Sequence, residues 1–210
     1  MQLACDDGFR FEEPQPAHKP NLKKIPGRLI GKYLRSDSSR HLIIDPQHII
    51  EWENLELKLH IDSLDLEIDS TQLPANPQEF IELLDGSHQV NLQFIEGDSV
   101  LVRYNYRDTL FTISEYNVIR RFKGHYFLNR SREGRVTWSV DLLTLKKRKL
   151  SLSDINIPKD ITSLEEITEI EKRVGPSGRL KGYKLKPTRR ELNKLMDLGF
   201  TRTAEYIKVE

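Results

Sequence analysis

Along most of this chain apolar and polar residues alternate with a period of two, the pattern of strands that bury one face. The alternation is most regular between Val118 and Asp154. There Val136, Trp138, Val140 and Leu142 alternate with Thr137, Ser139 and Asp141. Upstream, the run from Asn129 to Gly134 contains no apolar residue and ends in glycine, as a hairpin connection should. Downstream, Lys146-Lys147-Arg148 interrupts the pattern and Leu150 and Leu152 resume it. Three consecutive antiparallel strands are expected here, with Trp138 buried at the centre of the apolar face.

The rest of the chain extends the same theme. Short strands are expected over Leu29–Leu34 and His41–Ile44, the second stopped by Asp45-Pro46. Leu55, Leu57, Leu59 and Ile61 share one phase while Leu64, Leu66 and Ile68 share the other, so a turn or bulge is required at Asp62-Ser63. Asn76-Pro77-Gln78-Glu79 opens a helix that Gly86 closes. Val90, Leu92 and Phe94 alternate, as do Val100, Val102, Tyr104 and Tyr106 after a turn at Glu96–Ser99, and Phe111 with Ile113 suggests one more short strand. Beyond Ile155 the pattern becomes helical. Ser163–Glu166 reads as a capping box opening a helix to about Arg173, and Tyr183 with Leu185 as a strand. Thr188–Glu191 is a second capping box, its helix presenting Leu192, Leu195 and Met196 and ending at Gly199. Tyr206–Val209 is expected as a final edge strand. The fold class is therefore mainly β (α+β). An antiparallel meander of about eight to ten strands forms a strongly bent sheet or incomplete β-barrel, with one inserted and two C-terminal helices. The domain division is 1–26 as an N-terminal segment and 27–210 as one β-rich domain.

Composition narrows the class. Hydrophobic residues make 37% of the chain and charged residues 31%, which describes a globular domain with a polar surface. No apolar run approaches the roughly 20 residues that a bilayer-spanning helix needs. The formal charge of +1 conceals a division. From Asp45 to Val100 thirteen acids face the single base Lys58, a net of −12; from Leu101 to Leu150 twelve bases face four acids, a net of +8. Cross-strand pairing between the two segments is the simplest account, at roughly 0.2–1 kcal/mol per pair. The functional account is an exposed basic face for an acidic partner.

Two resemblances shape the functional expectation. Leu3-Ala4-Cys5 resembles the lipobox of bacterial lipoproteins, in which a leucine, a small residue and a cysteine end the signal peptide and the cysteine is lipidated. No basic or apolar run precedes these residues, so the reading requires an upstream signal; the alternative is an unpaired cysteine on a frayed terminus. Cys5 is the chain's sole cysteine, and the four prolines between Phe9 and Pro26 suggest an extended tether. The resemblance implies a membrane attached through a lipid anchor and an envelope protein complex as partner. Secondly, Gly31-Lys32-Tyr33 and Gly124-His125-Tyr126 each open a strand series that leads to a tryptophan, Trp52 or Trp138. A Gly-x-aromatic near the start of a strand series resembles calycin-like barrels, the group that includes lipocalins, and implies a barrel fold.

Candidate chemistry is sparse. The six histidines are scattered, with no His-Glu-x-x-His and no paired cysteine, so neither a metal nor a cofactor is expected. Glu51 and Glu53 flank Trp52 on one strand face, a residue set a glycosidase could use, but alternation on a solvated strand explains them more simply, and no enzyme is expected. Tyr104, Tyr106, Tyr126, Phe127 and Trp138 would line a ligand cavity if the sheet closes, or else simply fill the core. Arg120, Arg121, Lys123, Lys146, Lys147, Arg148 and Lys149 would form a basic patch, and no nucleic-acid module accompanies them. The function expected is that of a non-enzymatic envelope lipoprotein binding a partner protein or an apolar small molecule. The competing expectation is a soluble cytoplasmic domain that binds an acidic partner through its basic 101–150 segment.

Overall fold

The computed structural model describes residues 8–60, 89–95, 99–134, 136–154, 161–175, 177–197 and 202–209. Cys5, the Asp62-Ser63 phase change and the Asn76–Gly86 helix lie outside the described residues, as do the side chains of Leu55, Leu57, Leu59 and Tyr104. The strands are β1 (Gly8–Phe11), β2 (Gly31–Arg35), β3 (His41–Ile44), β4 (His48–His60), β5 (Gln89–Ile95), β6 (Ser99–Thr112) and β7 (Asn117–Phe122). They continue with β8 (His125–Arg130), β9 (Ser139–Lys146), β10 (Lys149–Asp154), β11 (Ile170–Val174), β12 (Leu180–Leu185) and β13 (Arg202–Lys208). The helices are α1 (Thr162–Glu165) and α2 (Arg189–Asp197).

Ten strands form one antiparallel sheet in the order β5-β6-β4-β3-β2-β13-β10-β9-β8-β7. It is bent until it is nearly closed. A single interior cluster accordingly draws Tyr33 from β2, Leu42 and Ile44 from β3, Ile49 from β4, Phe111 from β6 and Ile119 from β7. Tyr126 and Leu128 from β8, Leu143 from β9, Leu150 from β10 and Tyr206 from β13 complete it. Part of the bend comes from a β-bulge. Ile49 pairs with Phe111 but Ile50 pairs with Thr109, leaving Leu110 as an extra residue that twists the β4–β6 ribbon. Tyr33 and Tyr126, each two residues after its glycine, are both fully buried in this interior.

A smaller layer covers part of the outside. β1 pairs parallel with β12, and β12 antiparallel with β11. Phe9, Phe11, Leu185, Leu192 and Leu195 from this layer pack against Phe127, Val140 and Leu142, which point outward from β8 and β9. These two strands are thus buried on both faces, which is why β8 reads Tyr-Phe-Leu-Asn with four consecutive buried residues rather than alternating.

Several expectations change. The Phe9–Pro26 segment is not a free tether. Phe11 exchanges both backbone hydrogen bonds with Trp138, at 2.7 and 2.8 Å, and Leu22 N–H donates to Ile119 O at 2.8 Å on the open edge of β7. Ile25 is fully buried in the barrel interior. The Asn129 side chain accepts the Gln15 N–H and donates to Gln15 O at 2.8 Å in a buried pair. Prolines that suggest extension also suit a strap whose bonding is to side chains and edges. Val136 precedes β9 and is 86% exposed, while Trp138 is half-buried against the outer cluster. The Ser163–Glu166 capping box does not form. α1 spans one turn with Ile161 at its N-cap, and Ile170 begins β11, because the free edge of β12 offers the β-branched stretch a ladder. The Thr188–Glu191 box does form, with Thr188 N–H donating to Glu191 at 2.8 Å and Glu191 N–H returning to Thr188 at 3.3 Å. β13 is not an edge strand but lies between β10 and β2.

If residues 8–26 are an integral strap, Asn129→Ala, which leaves the buried Gln15 amide without a partner, should lower stability by about 1–3 kcal/mol. Phe11→Ala should cost more, on the order of 3–5 kcal/mol. Urea unfolding of both variants checks this, and wild-type stability in both would mean that the strap is not held at these points.

Candidate functional site

Strand direction sorts the interior into an apolar part and a charged end. Beyond Ile49, Glu51 of β4 keeps the inward phase, and its carboxylate accepts the Tyr206 hydroxyl at 3.0 Å. Arg40 reaches Glu51 at 3.5 Å and Glu53 at 3.0 Å, and Arg35 stands 3.9 Å from Glu51. Ser39 donates to Glu53, and Arg40 lies over the Tyr106 ring at 5.5 Å. Glu51 is only 6% exposed, and two guanidinium groups and a hydroxyl surround its carboxylate. Burial and the neighbouring Glu51 push the Tyr206 hydroxyl well above the usual tyrosine range. The Ser39 hydrogen bond and the Arg40 guanidinium hold Glu53 below the usual glutamate value. Glu51 and Glu53 are therefore members of an ion-pair network, not a solvated strand face and not a separated acid pair.

At the corresponding end of β8, β9 and β10, Asp141 shares the inward phase of Leu143 and pairs with Arg130 at 2.5 Å. Burial pushes the Asp141 carboxyl up in spite of that cation. Asp154 lies directly across from Asp141 in register. One of its carboxylate oxygens is buried with no hydrogen-bond partner among the described residues.

On the outer wall, β3, β4 and β6 bound a hollow of about 620 Å³ lined by Ile43, Ile50, Trp52, Asn54, Asn105, Tyr106 and Arg107. Trp52 pairs with His41 across β3 and β4, and the two rings stack at 4.5 Å. The sequence marks Trp52 but not its surroundings, because Arg107 and Asn105 come next to it only through the β4–β6 register.

The five aromatic candidates do not converge. Tyr126 fills the barrel interior, Phe127 and Trp138 face the outer layer, and Tyr106 borders the hollow; the side chain of Tyr104 is outside the described residues. Of the basic candidates, Arg120 is bound to Pro14 O, Pro16 O and Asn21, so it fastens the strap. Lys123 donates to Asn193, Arg148 to Lys208 O, and Lys149 pairs with Glu205 at 2.7 Å. Arg121, Lys146 and Lys147 are exposed. Register brings the Lys123-Gly124 and Lys147-Arg148 turns to the same end of the barrel, opposite the charged interior end. Cross-strand pairing of the acidic and basic segments occurs at Glu56–Arg103, 2.8 Å. Among the described residues no group of three or more His, Cys, Asp or Glu side chains converges as a metal site, and no helix is long and apolar enough to cross a membrane.

Two measurements test the network. Tyr206→Phe removes a hydrogen bond to a buried carboxylate and should cost about 1.5–3 kcal/mol. Because the folded-state value of Glu53 is depressed, its stabilisation is fully present above the ordinary value of 4.5 and is lost as pH falls through the lowered one. Thermal melts from neutral to strongly acidic pH should therefore show a shallower acid limb in Ser39→Ala than in the parent chain.

In comparisons with known proteins, no family model matches the chain, and neither a curated protein nor a solved structure matches it.

Proposed function

We propose that the chain is a cell-envelope lipoprotein, acylated at Cys5, whose β-domain is a non-enzymatic binding module for a partner protein. The observation that carries the binding reading is the hollow on the outer wall of β3, β4 and β6. It sets Trp52 and two isoleucines beside Arg107 and two asparagines, and tryptophan and arginine are among the residue types enriched at interface hot spots. The barrel interior supports a protein partner over an apolar small molecule held inside, since Tyr33, Tyr126, Tyr206 and Phe111 fill that space at 0–1% exposure. The two Gly-x-Tyr strands that place their tyrosines in this interior support a calycin-like reading of the barrel. A second reading, an acidic partner on the basic end, is favoured by the convergence of the two basic turns with Arg121, Lys146 and Lys147 exposed.

A photo-crosslinker placed at Asn105 should capture one envelope protein, and Arg107→Glu should abolish the capture while leaving the fold intact. Mass spectrometry of the native product should show acyl chains on Cys5. A free thiol on a cytosolic product would overturn the anchor. Capture that survives Arg107→Glu but is lost on reversing Lys146 and Lys147 would move the interface to the basic end.

A further inference from the structure

The hairpin formed by β11 and β12 carries an exposed apolar pair that nothing in the fold explains. Val174 and Leu180 face each other in register at its tip and are 59% and 44% exposed. Lys172, Arg179 and Lys181 lie within two residues of this pair along the two strands, and all three are exposed. Apolar side chains ringed by cations form a surface suited to lipid headgroups, with the apolar groups entering the interface and the cations meeting anionic phosphates.

The path of the chain gives this tip its orientation. β1 runs parallel to β12 and begins with Gly8 opposite Gly182, so the chain enters the sheet from the tip side of the hairpin. The two backbones are pressed together at that point. A Cβ on Gly182 would lie 2.2 Å from Gly8 O, so only glycine allows the approach. Only Asp6 and Asp7 separate Cys5 from Gly8, a covalent reach of about 10 Å. Leu180 is two residues from Gly182, about 7 Å along the strand. A lipid on Cys5 therefore cannot hold the hairpin tip far from the bilayer, because the segment that would have served as a spacer is built into the fold.

We infer that the tip of the β11–β12 hairpin, with Val174 and Leu180 inserted and Lys172, Arg179 and Lys181 against headgroups, is a contact surface for an anionic membrane. The inference rests on the lipid-anchor reading for its geometry. With the barrel docked by this hairpin, the domain has one fixed orientation on the membrane rather than swinging from its anchor.

The test supplies the anchor chemically. Because Cys5 is the chain's sole cysteine, the full-length protein can be coupled through it to maleimide-lipid vesicles of phosphatidylcholine with or without phosphatidylglycerol. Tryptic cleavage after Lys172, Arg179 and Lys181 should slow several-fold on the phosphatidylglycerol vesicles relative to solution, while cleavage after the exposed Arg132 should not change. A Val174→Asp, Leu180→Asp variant keeps every cleavage site and should lose the protection. Without coupling, neutralising Lys172, Arg179 and Lys181 should weaken binding to phosphatidylglycerol vesicles by about fivefold per charge. Equal cleavage on vesicles and in solution overturns the inference, as does protection that requires an added envelope protein. Neither result bears on whether the cell acylates Cys5, which the mass of the native product decides separately.

Discussion

The insertion of β13 between β2 and β10 is the constraint on which the barrel depends. One half of the sheet, β2 to β6, is built from the first part of the chain, and the other half, β7 to β10, from the middle. No hairpin joins the two at this seam. β13 makes six paired positions with β10 and three with β2, and it brings Tyr206 into the shared interior. Tyr206 then bonds to Glu51 on β4, so the last strand is tied to the first half by a side chain as well as by its ladder. Contacts of this sequence separation carry a loop-closure entropy that the two ladders and the buried Tyr206 must offset.

The opposite seam is treated differently. Among the described residues β7 has no strand partner on its outer side, and an open edge is a template for unwanted pairing. The N-terminal strap covers it at Leu22, while Arg120 on β7 grips the strap through Pro14, Pro16 and Asn21. Prolines have no N–H to satisfy, so a strap held by its carbonyls loses little by containing them. The same strap threads Ile25 into the barrel and Phe9 and Phe11 into the outer layer, which joins the two hydrophobic clusters through one length of chain.

Among the described residues, Tyr33, Tyr126 and Phe111 fill the barrel interior, and Tyr206 joins the arginine–carboxylate pairs at its charged end. Its recognisable surfaces are external: the hollow beside Trp52, the basic turns, and the β11–β12 tip. These lie on different strands. A protein held to a membrane by the hairpin tip would leave the hollow on a separate wall, so anchoring and partner binding need not compete for one surface.

Much of the architecture was legible because strand alternation and turn chemistry are local. The hairpins from Val118 to Asp154 and the Thr188–Glu191 cap follow from residues within a few positions of one another. What the alternation could not carry was the choice of neighbour. Whether Tyr206 sat on an edge or at a seam, whether the Pro-rich segment was tether or strap, and whether Ser163–Glu166 capped a helix depended on edges and cavities made by distant residues. The same holds for the candidate sites. Residue type marked Trp52, Glu51 and the basic turns, but Tyr206 and Arg107 reached them only through long-range register. Periodicity reports which face of a strand is apolar; only the closed sheet decides whether that face meets a core, a second layer, an ion pair or solvent.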